Sequence, residues 1–190
     1  MNEAALKDYL VSCGAFLEGH FQLSSGLHSP NYVQCALALK DPHWAGEMGA
    51  ALAARWEGEE PEVVVSPAMG GLIIGHEVAR AFGTDFIFTE RESEAMTLRR
   101  GFVLPKGARV IIVEDVFTTG KSTLETAEVV RACGAEPVGA LSVIDRMGIR
   151  ELPFPRESLL KLELTVHKPE ACPLCARGLP LVKPGSRKKP

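Results

Sequence analysis

The residues in this chain whose types and spacing could do chemistry are two adjacent carboxylates, Glu114 and Asp115, and the small, hydroxyl-rich run Thr118-Thr119-Gly120-Lys121-Ser122 that follows them. The run can cradle a phosphate. Backbone N–H groups of a turn and of the first helical turn point outward, Thr and Ser hydroxyls add donors, and a helix N-terminus contributes roughly half a positive charge. Acids beside an anion site call for a ligand with a phosphate at one end and hydroxyls a few ångströms away, because carboxylates accept hydrogen bonds from paired hydroxyls. A ribose 5-phosphate has that form. Gly120-Lys121-Ser122 also ends like a Walker A loop, but that motif needs a glycine where Asp115 stands, and an acid there would repel a triphosphate. The Lys121 side chain therefore reads as a solvated residue at a helix start.

These residues need a scaffold. Val110 to Val113 is a continuous aliphatic run that predicts a strand buried on both faces, with the acids just past its carboxyl end, and Leu124 to Cys133 has helical spacing closed by Gly134. Open α/β sheets bind ligands outside the carboxyl ends of their strands. Upstream, Glu3 to Ser12 predicts an amphipathic helix. Phe21 to Leu39 predicts a hairpin turned by Ser24-Ser25-Gly26, with a further extended piece after Tyr32 and Val33. Asp41-Pro42 starts a helix whose Trp44, Met48 and Leu52 recur at four-residue steps as core. Glu62 to Val65 predicts a second strand, leading through Ser66-Pro67-Ala68-Met69-Gly70-Gly71 into a helix over Leu72 to Phe82 closed by Gly83. Asp85 to Thr89 predicts a third strand. The charged stretch 90–101, which includes Glu94, lacks sustained periodicity and reads as a mobile lid. Pro137 to Asp145 predicts a strand ending in Arg146 with Gly148 beyond, and Leu160 to Val166 the last one. The expected architecture is α/β: one domain over residues 1–190, a mostly parallel sheet flanked by helices, with a small N-terminal hood over residues 1–40 and a partly ordered tail over 168–190.

Composition bounds the rest. A chain of 190 residues, 46% hydrophobic and 24% charged, can bury a substantial core, and a net charge of −3 gives no broad electrostatic footprint for nucleic acid. No apolar run approaches a membrane span, the acidic start lacks a signal-peptide pattern, and five cysteines suit a reducing compartment, so a cytoplasmic protein is expected. Cys172-Pro173-Leu174-Cys175 has the spacing of half a zinc knuckle, with His167 as an available third ligand. Without a second cysteine pair, these read as free thiols.

The strand, Glu-Asp and Thr-Thr-Gly-x-Ser together resemble the 5-phosphoribosyl 1-diphosphate (PRPP) motif of type I phosphoribosyltransferases. The phrase Phe-x-Leu-x-Ser-Gly-x-x-Ser-Pro-x-Tyr, from Phe21 to Tyr32, is similar to the N-terminal segment of the orotate phosphoribosyltransferases. The resemblance implies transfer of ribose 5-phosphate from PRPP to orotate, giving orotidine 5′-phosphate and diphosphate in pyrimidine biosynthesis, by a homodimer. It implies Mg²⁺ carried by PRPP, with no direct protein ligand. It assigns PRPP binding to Glu114, Asp115, Val116, Phe117, Thr118, Thr119, Gly120, Lys121 and Ser122, and to Ala68, Met69, Gly70 and Arg91 on the diphosphate side. It assigns catalysis to Glu114 and Asp115 with lid residues Arg99 and Arg100, and orotate binding to Thr118, Arg146, Ser25 and Gly26. The chain departs from the family pattern in two places: the lid has no lysine, so its arginines are the substitutes on offer, and Gly70 stands where some members carry a lysine. A purine phosphoribosyltransferase and a non-catalytic PRPP-sensing regulator remain alternatives.

Overall fold

In a computed structural model, which describes residues 1–23, 25–93, 95–147 and 150–184, the chain begins with α1 (Glu3–Ser12), capped by the Asn2 side chain accepting from the Ala5 N–H. Ser24, Glu94, Gly148 and the last six residues of the tail lie outside the described residues. The hood is an antiparallel pair, β1 (Phe16–Gln22) and β2 (His28–Val33). The extended piece expected after Val33 is instead a short helix, α2 (Cys35–Leu39), whose Cys35, Ala38 and Leu39 turn into the core at helical rather than alternating spacing. Helix α3 (Pro42–Arg55) starts as expected, with Asp41 Oδ1 accepting from the His43 N–H and Pro42 in the first turn.

The main sheet follows. Strand β3 (Val63–Pro67), helix α4 (Gly71–Phe82) and strand β4 (Asp85–Glu92) form one β-α-β unit; β6 (Arg109–Phe117), α5 (Lys121–Ala132) and β7 (Glu136–Asp145) form the next. With β5 (Ala95–Leu98) and β8 (Arg156–Lys161), the strand order is β5-β4-β3-β6-β7-β8, parallel throughout except for β5. The connections leave β3 toward one edge and β6 toward the other, so the sheet's switch point lies between these two strands, the place where open α/β sheets form a ligand crevice. Val64, Val65, Val110, Ile111, Ile112 and Val113 are fully buried because helices cover both faces. Burial of each such side chain contributes about 1.5–3 kcal/mol.

Three expectations are corrected. Residues 90–101 are not without regular structure: Glu90 to Glu92 finish β4, and Ala95–Leu98 pair with it in antiparallel register. Ion pairs, Arg100 with Glu90 at 2.6 Å and Arg99 with Glu92 at 3.4 Å, lie along this hairpin, which is why a stretch without apolar periodicity still forms strands. The last strand starts earlier, at Arg156, and ends at Lys161, since Leu159 and Leu160 are the residues buried against the core. Strand β6 also runs on through Glu114 and Asp115 to Phe117, because Glu114, Val116 and Phe117 keep their register with β7. Beyond β8 the chain makes a 3₁₀ turn (Pro169–Ala171) and a short helix, α6 (Pro173–Ala176). It then returns to the hood: Val182 bridges Phe21, and His167 exchanges backbone hydrogen bonds with His28 at 2.8 Å each way.

Candidate active site

The carboxyl ends of β6 and β7 form the floor of a cavity of about 630 Å³. Glu114, Asp115, Val116, Thr118, Thr119, Ser122 and Arg146 line it from below. Leu23, Ser25, Leu27 and Tyr32 of the hood, and Val166, Lys183 and Pro184 of the tail, enclose it from above. Gly120 sits between the hydroxyl run and α5 with φ +76°, a left-handed conformation that glycine adopts without strain, and so turns the cradle into the helix. Gly120 offers no side-chain cap, and the helix-start amides of α5 face the hydroxyl run; Thr119 Oγ1 accepts from the Lys121 N–H at 3.3 Å. Lys121 itself is largely exposed, its Nζ 3.7 Å from Glu125, as expected of a solvated helix-start side chain.

The acid pair is half-buried on the cavity floor. Burial, with Asp115 adjoining, holds the Glu114 carboxyl well above the ordinary carboxylate range. Burial also raises Asp115, opposed by backbone donors such as the Val116 N–H, 2.9 Å from Oδ1. Two neighbouring desolvated carboxyls are costly in the empty site and become favourable when hydroxyl donors arrive. Gly70, at the start of α4, presses on this pair from the second loop. It has ordinary helical dihedrals, yet a β-carbon there would lie 2.6 Å from Asp115 Oδ1. The Ala68–Gly70 loop thus reaches the site through Asp115 rather than by lining the cavity.

Arg146 has a different environment from a surface arginine. Its backbone N–H donates to the Phe117 carbonyl at 2.8 Å, tying the ends of β7 and β6 together. The next turn is held by buried Asp145, which accepts from the Met147 N–H at 2.7 Å and from Arg156 Nε at 2.9 Å. Burial depresses the Arg146 guanidinium from its ordinary value, and among the described residues its buried Nε has no hydrogen-bond partner.

The remaining expected residues lie elsewhere. Gly26 is in the hood turn beside Ser25, its N–H donating to the Leu23 carbonyl. Phe117 is a core residue. Arg91 pairs with Glu125 of α5, while Arg99 and Arg100 stay on their own hairpin, and none of the three lines the cavity. The cavity's other cations are Arg150 and Lys183, which sequence reasoning missed. Arg150 carried a faint signal, four residues beyond Arg146; Lys183 lies in a basic tail with nothing to single it out. Tyr32 and Cys35 also line the cavity, Tyr32 donating to Gln34 at 3.4 Å and Cys35 Sγ to the Asp115 carbonyl at 3.8 Å.

A mostly parallel sheet carries an acid pair, a hydroxyl-rich turn and a glycine loop at the carboxyl ends of its central strands. The phosphoribosyl transferase domain family matches residues 45–163, and the chain belongs to that family. Relatives it matches over nearly their whole length include orotate phosphoribosyltransferases. That of Pelotomaculum thermopropionicum is 50% identical over 92% of this chain and 93% of its own. That of Caldicellulosiruptor bescii is 44% identical over the full length of both. The crystal structure of the Aeropyrum pernix orotate phosphoribosyltransferase superposes with a TM-score of 0.67 at 28% identity, covering 83% of this chain and 94% of that one.

Proposed function

We propose that this chain transfers ribose 5-phosphate from PRPP to orotate, releasing diphosphate and forming orotidine 5′-phosphate. The bond between ribose C1 and the diphosphate oxygen breaks, and the bond between C1 and the orotate ring nitrogen forms. The observation that carries the reading is the buried Nε of Arg146, unpartnered among the described residues, on the same cavity as the acid pair and the phosphate cradle. Orotate differs from uracil by a carboxylate, and a planar guanidinium can hold that group through two parallel bonds. The relatives' names agree with this choice of base.

In this reading Thr118 to Ser122 anchor the 5′-phosphate at the start of α5, and Glu114 and Asp115 accept from the ribose hydroxyls, so C1 is presented to the base in one orientation. The hood and tail exclude water from the reacting centre. The donor set suits a hard cation brought by the substrate, because carboxylates and hydroxyls line the cavity and no histidine does. Mg²⁺ on PRPP would supply charge neutralisation on the diphosphate, with no protein side chain holding it directly. Arg91, Arg99 and Arg100 lie away from their own chain's cavity, which supports a homodimer in which the β4–β5 hairpin serves the partner's site. The five unpaired cysteines support a reducing, cytoplasmic setting; among the described residues, no helix is long and apolar enough to cross a membrane. We also take residues 1–190 as one domain, since Val182 and His167 pair with the hood.

The test is diphosphate release from Mg²⁺-PRPP with orotate, uracil, adenine, hypoxanthine and guanine in parallel. Orotate should be the base used at appreciable rate. Turnover of a purine in preference to orotate, or no turnover with any base, would overturn the assignment.

A further inference from the structure

Outside this cavity, four side chains from distant parts of the chain converge. His20 comes from β1, His28 from β2, and Cys172 and Cys175 from the start of α6; one ligand-capable atom from each lies within 4.8 Å of every other. His20 Nε2 is 3.1 Å from His28 Nδ1, 3.6 Å from Cys172 Sγ and 3.7 Å from Cys175 Sγ, and Cys175 Sγ is 3.3 Å from His28 Nδ1. A tetrahedral zinc ion, with bonds of about 2.05 Å to nitrogen and 2.3 Å to sulfur, sets edges of about 3.3 Å between nitrogens and about 3.6 Å between nitrogen and sulfur. These four edges fall within a few tenths of an ångström of those values, and the remaining two lie within 4.8 Å.

Hydrogen bonding among the four groups does not account for the cluster. His20 Nδ1 lies 2.8 Å from the Leu179 carbonyl, which can only accept, so Nδ1 carries the proton and Nε2 is left with a single lone pair. Three donors or acceptors crowd that one lone pair. A cation at the centre would take it, together with the His28 nitrogen and two thiolates. The Leu179 carbonyl then plays the part usual for the outer partner of a metal-bound imidazole, fixing its tautomer and orientation. His20, His28 and Cys172 are 3–4% exposed, so the centre is shielded on three sides and opens to solvent at Cys175, and among the described residues no carboxylate joins the four.

We propose that His20, His28, Cys172 and Cys175 bind a structural Zn²⁺ ion that clips the C-terminal segment onto the hood. This replaces the free-thiol expectation: the second ligand pair is two histidines on a hairpin, not two cysteines, and His167 contributes backbone bonds instead of a ring nitrogen. The ion is separate from the Mg²⁺ of the substrate, because it sits on soft and borderline ligands outside the oxygen-lined cavity. Its position has a consequence for that cavity. The two clipped segments supply its upper wall, Gln22, Leu23, Ser25 and Leu27 on one side and Val166, Lys183 and Pro184 on the other, joined also by the Gln22–Val182 and Val182–His20 backbone bonds at 2.8 Å each.

The experiment uses full-length, untagged protein expressed with added zinc and passed over a desalting column, with metals counted by plasma mass spectrometry. About one zinc per chain is expected, falling to below about one-tenth in Cys172→Ser and Cys175→Ser and unchanged in Cys133→Ser. Cobalt-substituted protein should show the intense visible bands of a tetrahedral ion and near-ultraviolet thiolate charge transfer. Should the serine variants fail to fold, the parent protein still decides. A strong chelator should lower its melting temperature, and stoichiometric Zn²⁺ should restore it. Parent protein without bound metal, cobalt spectra without thiolate bands, or zinc retained in full by folded Cys172→Ser and Cys175→Ser would each overturn the proposal. None of these readouts depends on catalytic turnover, so the failure of this site and the failure of the orotate assignment are distinguishable.

Discussion

Truncation of Arg146 separates base recognition from everything else the site does. Its guanidinium is held at the end of β7 by the Phe117 and Asp145 bonds to the neighbouring backbone, none of which involves its own side chain, so Arg146→Ala leaves the turn intact. What disappears is a charged donor whose buried Nε has no partner among the described residues. A hydrogen bond to a charged group contributes about 1.5–3 kcal/mol. At about 1.4 kcal/mol per factor of ten, kcat/KM for orotate should fall about 10- to 150-fold. PRPP affinity, set by the cradle and the acid pair, should stay within about twofold of the parent, an error margin of some 0.4 kcal/mol on the same scale. Arg146→Lys should recover part of the loss, because an ammonium supplies the charge without the two-pronged geometry. The assay is steady-state diphosphate release with orotate varied at saturating PRPP, paired with calorimetry of Mg²⁺-PRPP binding. Unchanged orotate efficiency in Arg146→Ala would refute the carboxylate-anchor role, and the unpaired Nε would need another explanation.

Glu114→Gln should raise the melting temperature of substrate-free protein at neutral pH while weakening PRPP binding. The native carboxyl has its pKa raised by burial, so its stabilising contribution is fully present below the ordinary carboxylate range and is lost as pH rises through the native value. The gain should therefore be near zero at about pH 4 and grow toward neutrality, at roughly 2–4 °C per kcal/mol; a variant less stable than the parent at pH 7.5 contradicts it. Gly70→Ala keeps allowed dihedrals but drives its methyl into Asp115. Pushing that carboxylate off its rotamer costs about 0.5–1.5 kcal/mol, so PRPP affinity measured by calorimetry should fall about 2- to 13-fold with little change in fold stability. Mixing an Arg99/Arg100 double-alanine variant with Asp115→Asn tests the shared site: activity after subunit exchange should rise above either parent, and its failure to do so counts against the hairpin acting across a dimer.

The parts of this molecule that local chemistry specifies were legible in the sequence. Aliphatic runs gave the central strands, the Asp41-Pro42 pair gave the start of α3, and the hydroxyl run with Gly120 gave the turn into α5. The cavity's floor was legible for the same reason, since Glu114, Asp115, Thr118 and Ser122 follow one another along the chain. Features that depend on pairing between distant segments were not. The β4–β5 hairpin is held by cross-strand ion pairs that leave no apolar alternation, and the roof of the cavity joins residues separated by more than a hundred positions. Lys183 and the histidine pair belong to that second kind: each acquires meaning only when the tail lies against the hood.

That roof also orders events in the life of the chain. Ribosomes deliver residues from the N-terminus, so the hood hairpin, the sheet, the acid pair and the phosphate cradle all exist before Val166, Lys183 and Pro184 do. A nascent chain can thus present a phosphate-binding floor well before it can shelter a ligand from water. The finished pocket depends on a segment made after its floor, and proteolytic removal of Val166, Lys183 and Pro184 would open the cavity from above without touching the residues beneath it.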